Sequence, residues 1–419
     1  MRVGLLTLVQ EWGGCEVHAA QLTRTLRARG HDATIVCLSP VSYELYRTHC
    51  EDALPIVARP TPRPPKEMGV GQWLRFFSAE RWDSGVLIKG AFGVGDWKLD
   101  LAARLAFGDY LTVEQLEAER IPRTSRRHFG VVPGLGLWWR RELLRGRLRA
   151  LGPGTVICVS NAVRRRLREE FRFPDRKLVV IHNGIDTERF RPDREAGRRF
   201  RRALGIPDEA IVLGAAGRFA PMKGYDIALA GFQALLGRFP NEDLRMVLVG
   251  QGDLEADLRA QAERIGGRVI VAPFSERPWE VYNGLDVFLM PSRTEGLPLA
   301  LLEAMACGTC PVAAAAGGIP EILAEPGGGL GWLVPVDRED RFTEAMGEAV
   351  SLSRSERTER GARARERVRA HFDAQAQFNA CVDVIERSRS APQSKVWHLS
   401  CRIAAGWVRP TGPAADSPN

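Results

Sequence analysis

Lysine is scarce in this chain, at six of 59 basic residues, so a lysine that falls inside a glycine-rich motif stands out from its surroundings. No apolar run approaches the roughly 20 residues that a helical membrane span needs. The opening MRVGLLTLVQEWGG meets Gln10-Glu11 with no small-residue cleavage site, which argues against a signal peptide and for a first strand. The expectation is a cytoplasmic protein. No Asp-x-Asp pair occurs, which removes the simplest acidic clamp for a divalent metal. The eight cysteines are scattered. Cys307 and Cys310 form a C-x-x-C without the second Cys or His pair that a zinc site requires, so no metal site is expected. No recognition helix or aromatic-basic strand motif is visible, which argues against a nucleic-acid partner.

What is present describes a globular protein of two ordinary domains: 419 residues, 45% hydrophobic and 26% charged. The net charge of +8 is unevenly placed. Between Arg120 and Ala150 there are nine arginines (120, 123, 126, 127, 140, 141, 145, 147 and 149) against one acid, Glu142. A solvated face is one reading. The other is a patch facing an anionic membrane or a lipid-diphosphate acceptor, a peripheral contact at the inner membrane face. The helix expected over 137–151 sets Trp138, Leu144, Leu148 and Leu151 against Arg140, Arg141, Arg145 and Arg149, a stripe suited to packing on a domain core.

Strand and helix patterns alternate from the start. Arg2 to Leu8 reads as a strand, Gly13-Gly14 turn the chain into a helix closed by Gly30, and Asp32 to Leu38 is a second strand. RPTPRPPKE (59–67) is a Pro-rich loop. Further strands are expected at 86–89, 110–113, 156–159 and 178–181, the last running into the turn His182-Asn183-Gly184-Ile185-Asp186. After an Arg-rich connection at 191–202, the strand IVLGAAG ends at Gly217 and runs into Arg218-Phe219-Ala220-Pro221-Met222-Lys223-Gly224.

The most informative stretch is RTEGLPLALLEAMACG, residues 293–308. The apolar run Val287 to Met290 is a buried parallel strand, and a helix is expected to open at Pro298 and stop at Gly308. A strand-loop-helix corner aims free N–H groups and the positive end of the helix dipole beyond the strand's carboxyl end, where open α/β sheets bind phosphorylated ligands. Glu295 in the loop and Glu303 in the helix flank that place with carboxylates suited to hydroxyl groups. A sugar phosphate fits the combination.

These segments resemble the retaining glycosyltransferases of family 4, group 1. The spacing of Glu295 and Glu303 is similar to that family's E-x7-E signature, GRFAPMKG to its G-R-x4-K-G motif, and SNAVRRRLREEF with VVIHNGIDTERFRP to the end of its N-terminal domain. The resemblance implies an α/β, GT-B architecture: two Rossmann-like domains facing a cleft, with a C-terminal helix crossing back to the first. The expected bounds are 1–190 for an acceptor domain, 191–210 for a linker and 211–372 for a nucleotide-sugar domain. The crossing helix is expected at 373–388 and a tail at 389–419.

It also implies roles. Arg218 and Lys223 would clamp the donor diphosphate, Glu295 would align the sugar, Gly296, Leu297 and Pro298 would line the donor at the helix start, and Glu303 would hold the ribose. Gly14 would let the backbone approach the donor, and Phe274 would lie near the base. Glu114 stands where the family pattern carries a histidine facing the sugar, with its role open. The implied reaction is metal-independent transfer of a sugar from a nucleotide sugar to an acceptor hydroxyl on a glycan, lipid-linked saccharide or small molecule, with retention and without a cofactor. Two rivals remain at this level: a nucleotide-sugar 2-epimerase-like isomerase, and a non-catalytic GT-B binding module.

Overall fold

The computed structural model describes residues 1–7, 14–50, 54–61, 68–78, 82–89, 99, 102–103, 111–114, 154–325 and 328–390. The arginine-dense stretch 120–150, with the amphipathic helix expected there, lies outside the described residues, as do Gly90 to Trp97, most of the Pro-rich loop and residues 391–419.

In chain order the first domain runs β1 (Arg2–Thr7), α1 (Gly14–Ala28), β2 (Asp32–Cys37), α2 (Pro40–His49), β3 (Ile56–Ala58), α3 (Val70–Ser78) and β4 (Ser84–Lys89). It continues with β5 (Leu111–Glu114), β6 (Thr155–Cys158), α4 (Asn161–Glu169) and β7 (Leu178–Val180). The strands form one seven-stranded sheet in the order β3-β2-β1-β4-β5-β6-β7, and every pairing is parallel. β1 lies between β2 and β4, with Val3 opposite both Ala33 and Ser84. Both faces of such a sheet are covered, which is why its strands read as near-continuous apolar runs. Val3 and Leu5 pack towards α1, whereas Leu6 faces Trp73, Phe76 and Phe77 of α3 on the other side.

The second domain begins with α5 (Arg194–Ala203) and β8 (Ile211–Ala216), followed by α6 (Tyr225–Arg238), β9 (Leu244–Val249), α7 (Glu255–Ile265) and β10 (Val269–Ala272). Next come α8 (Pro278–Gly284), β11 (Val287–Met290), α9 (Leu299–Ala306), β12 (Cys310–Ala314), α10 (Ile319–Leu323) and β13 (Trp332–Val334). The chain closes with α11 (Glu339–Ser351), α12 (Arg354–His371) and α13 (Ala374–Ser390). The sheet order is β10-β9-β8-β11-β12-β13, again parallel throughout. In each sheet the first strand separates the two directions of winding. That puts the ligand-binding crevice outside the carboxyl ends of β1 and β4 in one domain and of β8 and β11 in the other.

The connection between domains is more ordered than an Arg-rich linker suggests. Arg194–Ala203 is a helix, N-capped by Asp193 and packed on α8. Arg201 is buried in that contact, donating to the carbonyls of Gly284 (2.9 Å) and Ala210 (3.1 Å) and pairing with Asp286 at 2.8 Å. A buried guanidinium with all its neighbours as acceptors is satisfied, not stranded.

α13 leaves the second domain and packs on the first. Phe378, Cys381, Val382 and Ile385 are buried in the same core as Ala19, Leu22 and Leu26 of α1. Arg29 pairs with Asp383 (2.6 Å) and Glu386 (2.9 Å), and His31 lies 2.8 Å from Glu386. At the crossing itself the backbones pair: Ile185 N–H donates to Phe372 O at 2.8 Å and Ala374 N–H to Ile185 O at 3.1 Å.

Candidate functional site

The turn after β8 is shaped by glycine. Gly224 adopts φ +68, the left-handed region, and a Cβ there would lie 2.1 Å from the Pro291 carbonyl oxygen. Both facts call for glycine, and together they let the Lys223 turn lie directly against the end of β11. Arg293 locks the two turns. Its guanidinium forks onto Asp226 (2.9 and 2.6 Å), reaches Asp337 at 2.7 Å and donates to the Pro221 carbonyl at 2.8 Å. Its own N–H donates to Met222 O at 2.8 Å. Planar two-pronged pairing of this kind fixes direction as well as distance.

That packing brings two of the expected site residues together. Lys223 Nζ lies 2.7 Å from Glu295 Oε1, and Glu295 is 5% exposed. The buried Tyr225 beside it has its phenol pushed well up, first by burial and then by the Glu295 charge. Arg218 is exposed at the carboxyl end of β8, one residue beyond Gly217 and five before Lys223.

The helix α9 starts at Leu299, with Pro298 just outside it at φ −73, one residue later than the sequence suggests. The first turn still has no side-chain cap, so its N–H groups face the loop 295–298. Gly308, at φ +79, ends the helix by donating to Met305 O. Glu303, on α9, is half-buried and accepts a 2.6 Å hydrogen bond from the phenol of Tyr282. Burial raises the pKa of this carboxyl, while the Tyr282 hydroxyl and the Arg189 charge work the other way. Tyr282 is part of an aromatic group with Phe190 and Phe288, and Arg189 lies over the Trp279 ring.

The remaining expected residues sit around this centre. Gly14 is the first residue of α1, across the cleft. Phe274 is 45% exposed in the loop after β10, and its ring meets His49 of the first domain with centroids 6.5 Å apart. Glu114 is the last residue of β5, in register with Lys89 and Cys158, while its side chain lies outside the described residues. Gly296 and Leu297 are buried between the domains.

Sequence reasoning missed several contacts to that loop. Ser160 Oγ donates to Gly296 O at 2.9 Å, Asn183 Nδ2 to Leu297 O at 2.9 Å, and Glu321 holds Asn161 and His182 of the opposite domain. Ser160, His182 and Asn183 fall inside segments whose likeness to a family was visible, but nothing in a linear pattern pairs residues more than 110 positions apart. Among the described residues no group of three or more His, Cys, Asp or Glu is placed to hold a metal ion, and no helix is long and apolar enough to cross a membrane.

Comparison with known proteins agrees with this arrangement in both halves. The family model described as Glycosyltransferase Family 4 matches residues 12–189, and that described as Glycosyl transferases group 1 matches residues 197–367. The chain is 36% identical over 184 residues to a D-inositol 3-phosphate glycosyltransferase of Corynebacterium jeikeium, covering 41% of this chain and 43% of that protein. It is 32% identical over 228 residues to a GDP-mannose-dependent alpha-(1-6)-phosphatidylinositol monomannoside mannosyltransferase of Mycolicibacterium smegmatis, covering 51% and 58%. These alignments thus span less than two thirds of either relative. The fold of Anabaena HepE, solved with UDP and glucose, matches at a TM-score of 0.73 over 92% of this chain and 100% of the other, at 18% identity. Two Rossmann-like domains joined in this way make the GT-B architecture.

Proposed function

Because the chain belongs to the group 1 glycosyltransferases of family 4, we propose that it transfers a sugar from a nucleoside-diphosphate sugar to an acceptor hydroxyl, with retention at the anomeric carbon and with side-chain cations in the place of a metal. The observation that carries the reading is the Lys223–Glu295 pair at 2.7 Å, set between the carboxyl end of β8 and the uncapped amino end of α9. It joins a cation suited to phosphate to an acid suited to sugar hydroxyls, on neighbouring turns held rigidly by Arg293.

In this reading the bond between the anomeric carbon and the diphosphate oxygen breaks as the acceptor oxygen bonds to that carbon on the same face. The departing diphosphate takes up the acceptor proton and gathers negative charge. Arg218, Lys223 and the first N–H groups of α9 are fixed where that charge grows, so they stabilise the transition state without reorganising. Glu295 orients the sugar, and Glu303, held by Tyr282, takes the ribose hydroxyls. Phe274 borders the base, Gly14 lets the first domain approach the donor, and Glu114 meets the acceptor side. Contact between the domains excludes water and limits hydrolysis of the donor.

HepE was solved with UDP, and the Mycolicibacterium relative is named for GDP-mannose, so the donor is assigned here only as a nucleoside-diphosphate sugar. The acceptor is a glycan or lipid-linked saccharide, and the arginine-dense segment 120–149 supplies charge for an anionic lipid surface at the cytoplasmic face.

The test is transfer by wild type, Arg218→Ala and Lys223→Ala, with donors first chosen by thermal shift across a panel of nucleotide sugars. Each variant is expected to lose on the order of 10²–10³ in kcat, by analogy with removal of one oxyanion-hole donor. The rate is expected to survive EDTA, and the product is expected to keep the donor's anomeric configuration by NMR coupling. Variants that turn over like wild type would sink the assignment.

A further inference from the structure

The loop between Glu295 and α9 belongs to the second domain, yet two of its carbonyl groups accept from side chains of the first. Gly296 O accepts from Ser160 Oγ at 2.9 Å and from Gly318 N–H at 3.1 Å. Leu297 O accepts from Asn183 Nδ2 at 2.9 Å. A trans peptide is planar and its carbonyl and N–H point in opposite directions. Fixing the Gly296 carbonyl towards the first domain therefore turns the Leu297 N–H the other way. The fit is tight: a Cβ on Gly318 would lie 2.3 Å from Gly296 O, 2.9 Å from a Leu297 methyl and 2.9 Å from Ser160 Cβ.

Three residues beyond Gly318, Glu321 on α10 crosses to the same patch of the first domain. Its carboxylate accepts from Asn161 N–H (2.9 Å), Asn161 Nδ2 (2.9 Å) and Ala162 N–H (3.0 Å), and lies 2.9 Å from His182 Nε2. Asn161 and Ala162 open α4, so the second domain's carboxylate sits on the amino end of the first domain's helix, where an anion is stabilised. Ser160, Asn161 and Ala162 come from one first-domain turn, and His182 and Asn183 from the next.

We propose that Ser160, Asn183 and Glu321 are positioning residues through which the first domain sets the peptide orientation of loop 295–298, so that this loop takes its working geometry only while the two domains touch. The inference rests on the glycosyl-transfer reading for what the loop works on, but the mechanical coupling is separate from it. Glu321 clasps the domains, Ser160 and Asn183 read the clasp out on two adjacent carbonyls, and Gly318 permits the close approach. Closure and loop alignment become one event. A donor bound to the second domain alone would meet a loop whose N–H groups are not yet aimed.

The experiment uses the full chain with Glu321→Gln and Asn183→Asp. Both replacements are isosteric. The first removes the charge and sets an amide N–H2 against N–H donors, and the second sets a carboxylate oxygen against the Leu297 carbonyl. Two readouts are taken: hydrogen exchange of the amides in 296–302, and the split of kcat from donor KM. In both variants exchange in 296–302 is expected to speed up, and kcat to fall by about tenfold, the scale of one lost hydrogen bond. Donor KM is expected to stay within about twofold, since the removed interactions act on positioning and not on uniform binding. A residue that only stabilises the fold would lower the melting temperature and leave exchange in 296–302 and kcat below melting unchanged, and that result overturns the proposal. Raised KM with intact kcat also overturns it. Faster exchange in a chain whose wild type transfers no sugar would uphold the coupling and discard the glycosyl-transfer reading instead.

Discussion

The two sides of the cleft are built on different principles. On the second domain, the turns that carry Lys223 and Glu295 are tied to each other by links that stay within that domain: the Arg293 fork on Asp226 and Asp337, the Gly224–Pro291 approach and the Lys223–Glu295 pair. On the first domain, the contribution reaching the same loop consists of a hydroxyl and an amide donating to carbonyls, with one carboxylate coming the other way. The first set persists however the domains stand. The second exists only in contact. A site for a charged leaving group is thus held permanently, while the aim of the loop beside it is conditional.

The largest effect that could break this contrast is at Gly224. Alanine there costs about 1–2 kcal/mol for the left-handed backbone alone, and its Cβ also overlaps the Pro291 carbonyl. Gly224→Ala is expected to lose roughly 2 kcal/mol or more in urea unfolding, since strain and overlap add. Unchanged stability would show that the two turns are not rigidly joined. A middle-sized effect is expected of Tyr282→Phe, which removes the 2.6 Å bond to Glu303. Donor binding should weaken by about tenfold, because a hydrogen bond to a charged group contributes roughly 1.5 kcal/mol. Titration calorimetry with the nucleoside diphosphate alone reads it, and unchanged affinity would remove Glu303 from the ribose site.

The smallest effect sharpens the conditional half. Against the cost of its burial, the bonds from His182, Asn161 and Ala162 hold the Glu321 carboxyl at about 2, below its ordinary 4.5. A depressed acid stabilises above its unfolded value and loses that contribution as pH falls through the folded one, so the window lies between 4.5 and about 2. The melting-temperature gap between wild type and Glu321→Gln is expected to be full at neutral pH and to shrink across that window. A gap that is flat with pH would mean that the carboxylate charge does not hold the clasp.

Much of this architecture was legible in the chain because its signals are local. Alternating apolar strands, Gly or Pro turns and amphipathic helices place GRFAPMKG and RTEGLPLALLEAMACG at strand ends without any tertiary information. The pairing of Lys223 with Glu295 was foreshadowed by two motifs that converge on one crevice. Arg293 was not, since an arginine among charged and glycine residues reads as a surface group until Asp226 and Asp337 are seen on either side of it. The helical nature of 194–203 was hidden in the same way, as four exposed arginines there mask the fifth, Arg201, that turns inward. Ser160, Asn183 and Glu321 were beyond reach because their partners are supplied by the other domain. Pro298 was placed one residue too far into its helix, a displacement common where a proline suits both the cap and the first turn.

The return of α13 to the first domain also bears on how the molecule comes into being. α1 is covered by Phe378, Cys381, Val382 and Ile385, which emerge from a ribosome some 350 residues after that helix. The amino-terminal lobe must therefore wait, with one face unsealed, until its younger neighbour has been synthesised in full. Birth order and assembly order run in opposite directions here, and the last helix made is the one that finishes the first lobe begun.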